Sequence, residues 1–123
     1  MTRLQPYTKY FYKVGTASGG MGSQIYHFKT FGVTTQNHVP FNLAVIGDMG
    51  HSDAANKTVE YVSALSQSHS IDGVLHIGDI SYADGIQHIW DIYMRKIEGI
   101  AAYSPYMTVP GNHEVAIITF LDL

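Results

Sequence analysis

The chain has no cysteine, which excludes disulfides and thiolate metal sites, so any metal ion must be held by oxygen and nitrogen donors. Cations are also scarce: seven Lys and Arg against ten Asp and Glu give a formal net charge of -3. Phosphate-backbone binding depends on clustered cations, so nucleic acid is not expected as a partner. No apolar run approaches the roughly 18 residues of a spanning helix, and Met1 is not followed by a basic-then-apolar leader. The chain therefore carries no expected membrane span and no signal peptide of its own. Charged residues are only 14% of the total, but 46% are hydrophobic, so the composition is that of a globular protein and not a disordered one. A length of 123 residues is enough to bury one core.

What is present falls into two regions. In the first, Tyr10, Tyr12 and Val14 alternate with Phe11 and Lys13, the period of a strand with one face buried. A Gly- and Ser-rich break from Gly15 to Gly22 follows, and Gln24 to Thr30 alternates again around Ile25, Tyr26 and Phe28. These are two strands joined by a loop. Leu4 to Tyr10 resembles the entry to a late strand of a fibronectin type III-like β-sandwich, where a Tyr ties down the corner; a plain β-hairpin is the alternative. Two strands alone are marginally stable, so this segment reads as the last piece of a larger sandwich.

After a polar connector, Gly32 to Pro40, strands alternate with helices. A strand from Phe41 to Ile46 leads to Ser52 and Asp53, either of which can cap a helix with Ala55, Val59, Val62 and Leu65 on one face. A second strand, Asp72 to Ile77, precedes Ile86, Ile89, Trp90, Tyr93 and Ile97 at helical spacing, and a third lies near Tyr106 to Val109. This order predicts an α/β fold with a parallel sheet, and ligands then gather beyond the carboxyl ends of its strands.

Each strand ends in a group with chemical capacity: Gly47-Asp48-Met49-Gly50, Gly78-Asp79-Ile80-Ser81-Tyr82 and Gly111-Asn112-His113-Glu114. A Gly before each Asp lets the backbone turn so that both carboxylates reach one crevice. Two carboxylates there repel unless a cation neutralises them or one is protonated, and a metal is the simpler solution. With the Asn112 amide and the His113 imidazole added, the donors suit Fe, Zn, Mn or Mg and not copper(I) or an iron–sulfur cluster.

Taken in order, these blocks resemble those of the metallophosphoesterase superfamily, and more narrowly those of purple acid phosphatases. Gly50 stands where the wider superfamily places a metal-binding His, and Tyr82 stands where purple acid phosphatases place a phenolate ligand to ferric iron. The resemblance covers about residues 4 to 114. It implies a βαβαβ first half of a metallophosphoesterase sandwich over 41–114, preceded by a linker at 33–40 and by the C-terminal part of a fibronectin type III-like domain at 1–32. Residues 115–123 form an atypical tail. It further implies that Asp48 and Tyr82 bind Fe(3+), Asp79 bridges to a second divalent metal (Zn, Mn or Fe), Asn112 binds that second ion, and His113 acts near the substrate as a catalytic group. A pair of ions about 3.5–4 Å apart suits in-line attack on phosphorus, so the expected reaction is hydrolysis of phosphate monoesters. The same resemblance implies a secreted or lysosomal/vacuolar setting and, for the full-length family, a homodimer.

Three further His ligands that the resemblance calls for have no counterpart after Glu114, where the chain continues Val115-Ala116-Ile117-Ile118-Thr119-Phe120-Leu121-Asp122-Leu123. The chain is therefore expected to be truncated at both ends, and weakly active or inactive alone. The alternative is a non-catalytic truncated homologue that acts by binding or regulation. Of the remaining histidines, His51 could approach the metal edge, His76 is expected to be packed, and His27, His38, His69 and His88 to be solvated. Asn56-Lys57-Thr58 is a glycosylation sequon, and a reading as a glycoprotein depends on its use.

Overall fold

The computed structural model describes residues 3–32 and 40–115. Two strands, β1 (Lys9–Tyr12) and β2 (Tyr26–Lys29), pair antiparallel with Lys9 opposite Lys29 and Tyr12 opposite Tyr26. There follow β3 (Leu43–Ile46), a short 3-10 turn at Asp53–Ala55, α1 (Asn56–Gln67), β4 (Gly73–Ile77), α2 (Gln87–Ala101), β5 (Tyr106–Val109) and α3 (Asn112–Val115). β3, β4 and β5 form a parallel sheet in that order, with Ile46 opposite His76 and Ile77 opposite Val109. All three strands point the same way, so their three motif loops emerge at one edge.

Alternation along the strands divides the sheet into two apolar faces. One carries Ala44, Ile46, Val74 and Tyr106, which pack with Val59, Val62 and Leu65 of α1 and with Ile100 of α2. The other carries Leu43, Val45, Ile77, Met107 and Val109, all exposed among the described residues. A sheet apolar on both faces is typical of parallel α/β layers. Near the motif edge Met49 and Ile80 dip back into the core beside Tyr93 and Ile97, so the first two motif loops are each anchored by an apolar side chain next to the acid.

Several expectations shift in detail. The strand expected over Phe41 to Ile46, β3, begins at Leu43. Ser52 precedes the 3-10 turn without a side-chain cap, and Ile86 lies just before α2, in extended backbone. The segment 33–39, with His38, and residues 116–123 of the tail lie outside the described residues. Asn56 of the sequon opens α1 with both ends of its amide engaged: it donates to Asp53 Oδ1 at 3.1 Å and accepts from the Lys96 ammonium.

The hairpin sits against the α/β unit through hydrogen bonds that follow from its aromatic content. Within the N-terminal segment the Tyr10 hydroxyl accepts from the Gln5 N–H (2.8 Å). The Tyr12 hydroxyl donates to Ala102 O (2.7 Å), and the Tyr26 hydroxyl to the Glu98 carboxylate. His27 and His69, expected to be solvated, instead meet each other: His27 Nδ1 lies 3.1 Å from His69 Nε2, with the Tyr103 ring against His27. The reason is long-range packing, which brings β2 onto the turn after α1.

Burial pushes both imidazoles below the usual histidine range, and the nearby Lys9 pushes them further; His27 and Lys29 add to the effect on His69. The detached state then binds more protons below about pH 6.5, so stability rises with pH across the window from the lowered values up to 6.5. Amide exchange in β1 and β2, corrected for intrinsic rates, is expected to be faster at pH 5 than at pH 7.5. The difference should vanish in the His27→Gln, His69→Gln double variant. Protection independent of pH in the parent chain would contradict this reading.

Candidate metal centre

The loops after β3 and β4 run side by side because backbone pairing continues past the strands: Asp48 N–H donates to Gly78 O (3.1 Å) and Gly50 N–H to Ile80 O (2.9 Å). At Asp48 the left-handed turn falls on the acid and not on Gly47, whereas at Asp79 it begins at Gly78, with φ 101°, and continues on the acid. Asp48 has φ 51°, Asp79 φ 50°, Tyr82 φ 55° and Asp84 φ 46°. Left-handed backbone costs a non-glycine residue about 1–3 kcal/mol and clusters at functional sites. Here it aims three oxygen donors at one point.

The Tyr82 hydroxyl lies 3.1 Å from Asp48 Oδ1 and 3.4 Å from Asp79 Oδ2. One phenol proton faces two carboxylates, and the only ion pair among the described residues is elsewhere, between His113 and Asp84. Burial, the Asp48 hydrogen bond and the charges of both acids push the Tyr82 phenol up to about 12. The same arrangement reverses if a cation sits among the three oxygens, since it then stabilises the phenolate. The chemistry of this donor set therefore fits a hard, trivalent or divalent ion.

Gly50 explains how the Tyr82 ring enters. Gly50 has φ 68°, and a Cβ built there would lie 3.1 Å from Tyr82 Cδ2. A side chain at position 50 and the phenol ring thus compete for one space, which is the physical content of the Gly50 and Tyr82 exchange.

The third motif is joined to the second by Glu114, a residue that the sequence reading left without a role. Its Oε1 accepts from Ile80 N–H and its Oε2 from Gly111 N–H, both at 2.8 Å. The second contact is half of a capping box, with Glu114 at the third position of α3 reaching back to the residue before the helix, so the G-x-x-E spacing was a readable signal. Asp79 serves the same helix: its Oδ1 accepts from His113 N–H at 3.2 Å. One oxygen of Asp79 thus caps α3 and the other faces Tyr82. Gly111 allows this contact, because a Cβ there would collide with the Asp79 carboxylate and backbone nitrogen.

His113 and Asn112 occupy the rim. The His113 ring packs against Tyr82 in a tilted arrangement, with centroids 4.2 Å apart and planes 43° apart, and its Nδ1 bonds Asp84 Oδ1 at 2.7 Å, which raises its pKa despite partial desolvation. Asn112 is exposed at the first position of α3, and its amide makes no hydrogen bond to the Asp48, Asp79 and Tyr82 cluster. His51 turns to the backbone, its Nδ1 2.9 Å from Ser81 O. Among the described residues no group of three or more His, Asp or Glu side chains is placed to hold an ion. The convergent set is thus two carboxylates and a phenol.

Residues 41–122 match the calcineurin-like phosphoesterase family. Among similar curated proteins, Purple acid phosphatase 21 of Arabidopsis thaliana is 36% identical over 112 residues, covering 91% of this chain and 23% of the relative. Purple acid phosphatase 5 of the same plant is 38% identical, covering 91% and 27%. Acid phosphatase type 7 of Mus musculus is 35% identical, covering 93% and 25%. The structure of a purple acid phosphatase from yellow lupin (Lupinus luteus) seeds superposes with a TM-score of 0.77 at 34% identity, covering 90% of this chain and 22% of that one. The chain thus spans about a quarter of the length of the curated relatives it matches. With the ordered motifs at one sheet edge and these likenesses, the chain belongs to the calcineurin-like phosphoesterases, on their purple acid phosphatase branch.

Proposed function

We propose that this chain supplies the iron-side half of a dinuclear metal centre that hydrolyses phosphate monoesters at acidic pH. The observation that supports it best is the convergence of the Asp48, Asp79 and Tyr82 oxygens, each on left-handed backbone, at the carboxyl edge of a parallel sheet. Asp48 and Tyr82 would hold Fe(3+), Asp79 would stand between it and a second divalent ion (Zn, Mn or Fe), and Asn112 would offer its amide oxygen to that ion. When bound, such a pair supplies Lewis acidity and neutralises phosphate charge.

The chain's own residues add the proton chemistry. Asp84 holds His113 Nδ1 and favours the imidazolium, so Nε2–H is left to donate to a phosphate or leaving-group oxygen at acidic pH. Residues 1–32 are read as the last strands of a fibronectin type III-like domain and 41–114 as the first half of the catalytic domain. A secreted or lysosomal/vacuolar setting belongs to the same proposal. Among the described residues no helix is long and apolar enough to cross a membrane.

The test is to titrate the purified chain with Fe(3+), then with Zn(2+) or Mn(2+), and to assay an aryl phosphate at acidic pH. Weak Fe(3+) uptake that requires Tyr82 is expected, with little or no turnover, since three His ligands implied by the family are not supplied. No metal uptake at all would favour the non-catalytic binding reading.

A further inference from the structure

His27 on β2 and His69 just after α1 meet across the joint between the hairpin and the α/β unit. His27 Nδ1 lies 3.1 Å from His69 Nε2, and the ring centroids are 4.9 Å apart. Each residue is held in place by its own surroundings. Tyr103 packs edge-on against the His27 ring, with centroids 4.9 Å apart. His69 has φ 57° and closes the helix: Ser70 N–H donates to Leu65 O (2.9 Å) and His69 N–H to Ser66 O (3.1 Å), the paired hydrogen bonds of a Schellman cap. Glycine usually fills that left-handed position, so an imidazole there carries backbone strain, which tends to collect at functional sites.

Both imidazoles titrate below the usual histidine range, so at neutral pH each ring carries one proton and the two facing nitrogens share one between them. Their mutual contact is the one hydrogen bond that either ring makes among the described residues. Moving the shared proton to the outer nitrogen of its own ring leaves two lone pairs aimed at one point. Metal–imidazole bonds of about 2.0–2.1 Å place two nitrogens about 3.3–3.4 Å apart on a tetrahedral ion and about 2.8–3.0 Å apart at adjacent corners of a tetragonal one. The observed 3.1 Å lies between these values. No carboxylate pairs with either ring among the described residues, so the donors are nitrogen alone, which suits Zn(2+) or Cu(2+) and is poor for Mg(2+). The Lys9 and Lys29 charges that act on His69 oppose a cation, whereas the carboxyl end of α1 favours one.

We propose that His27 and His69 form a two-imidazole site for a borderline divalent ion, Zn(2+) or Cu(2+), that clips the hairpin to the α/β unit. Each ring stays neutral with its proton on the outer nitrogen, His27 Nε2 or His69 Nδ1, and gives one lone pair to the ion, so loading releases no proton. Both residues are half-buried, which leaves the remaining coordination positions to water. The site shares no residue with the Asp48, Asp79 and Tyr82 cluster and differs from it in donor chemistry. Because the two rings are 42 residues apart and meet only when the hairpin is docked, the ion stabilises the docked state by mass action.

The test titrates the whole, metal-free chain with Zn(2+) at pH 7.5 and follows the imidazole rings and backbone amides by NMR. Saturable shifts of both the His27 and the His69 ring signals are expected. Amide exchange in β1 and β2 should slow by up to about 100-fold at a free ion concentration about 100 times the dissociation constant. Mg(2+) at the same concentrations is expected to move neither ring. His69→Gly removes one ring while giving the left-handed cap the residue it favours, so the fold is retained and the slowing by Zn(2+) should vanish. His27→Gln, which removes the other ring, should abolish it too. Shifts confined to one ring, shifts at the Asp48 and Asp79 amides alone, no ring shift up to millimolar Zn(2+), or slowing that persists in His69→Gly would each overturn the proposal.

Discussion

Gly111→Ala is expected to be the most damaging single methyl group that can be added to this protein. The new Cβ would collide with the carboxylate and the backbone nitrogen of Asp79, and backbone cannot swing aside as a long side chain can. Moving Gly111 also strains the Glu114 clamp, whose two oxygens hold the Gly111 and Ile80 N–H groups. Hydrogen bonds to a charged acceptor contribute about 1.5–3 kcal/mol each, and overpacking of a well-filled site adds about 1–3 kcal/mol. A loss on the order of 3 kcal/mol is therefore expected, read as a fall in the urea midpoint with an unchanged slope. In an Asp79→Gly background the same substitution should cost less, since the carboxylate half of the clash is gone. A midpoint shift worth less than about 0.5 kcal/mol in the parent background would show that the three loops are not locked as described.

Asp79→Asn should separate stability from metal affinity. The amide keeps the oxygen that caps α3 through His113 N–H, so the fold is expected to survive. It removes one of two carboxylates that compete for a single phenol proton, a repulsion that the metal-free chain carries without a cation to relieve it. Thermal stability without metal is therefore expected to be unchanged or raised by up to about 1 kcal/mol. Fe(3+) affinity is expected to fall by about 100-fold or more, at or beyond the upper end of what groups outside the ligand set contribute. Binding equal to that of the parent chain would remove Asp79 from the ligand set, and a large loss of stability would mean that its charge serves the fold instead.

Much of this was legible in the residues. Periodicity located both long helices and all three parallel strands, because apolar stripes at helical spacing and short apolar runs reflect burial directly. The motif ends placed Asp48, Asp79 and Tyr82 at one edge, where the structure brings their oxygens together. Asn112 and His113 follow at the rim. Other features depend on contacts between distant segments. The pairing of His27 with His69 spans 42 residues and reverses the expectation that both are solvated. The left-handed turn falls on Asp48 and not on Gly47, because pairing of the β3 and β4 loops fixes the backbone beyond the strand ends. Glu114 could have been found from its capping-box spacing, but its second bond, to Ile80, could not.

The most direct measurement is a titration of the metal-free chain with Fe(3+) near pH 5, followed by visible absorption from iron-bound tyrosinate, with Tyr82→Phe alongside. Without metal the phenol is pushed up to about 12, so phenolate at pH 5 can arise only where a cation displaces its proton. A weak, saturable band in the parent chain that is lost in Tyr82→Phe is the expected result. No band at any iron concentration, or an equal band in Tyr82→Phe, would contradict the assignment of Asp48, Asp79 and Tyr82 as an iron-holding set.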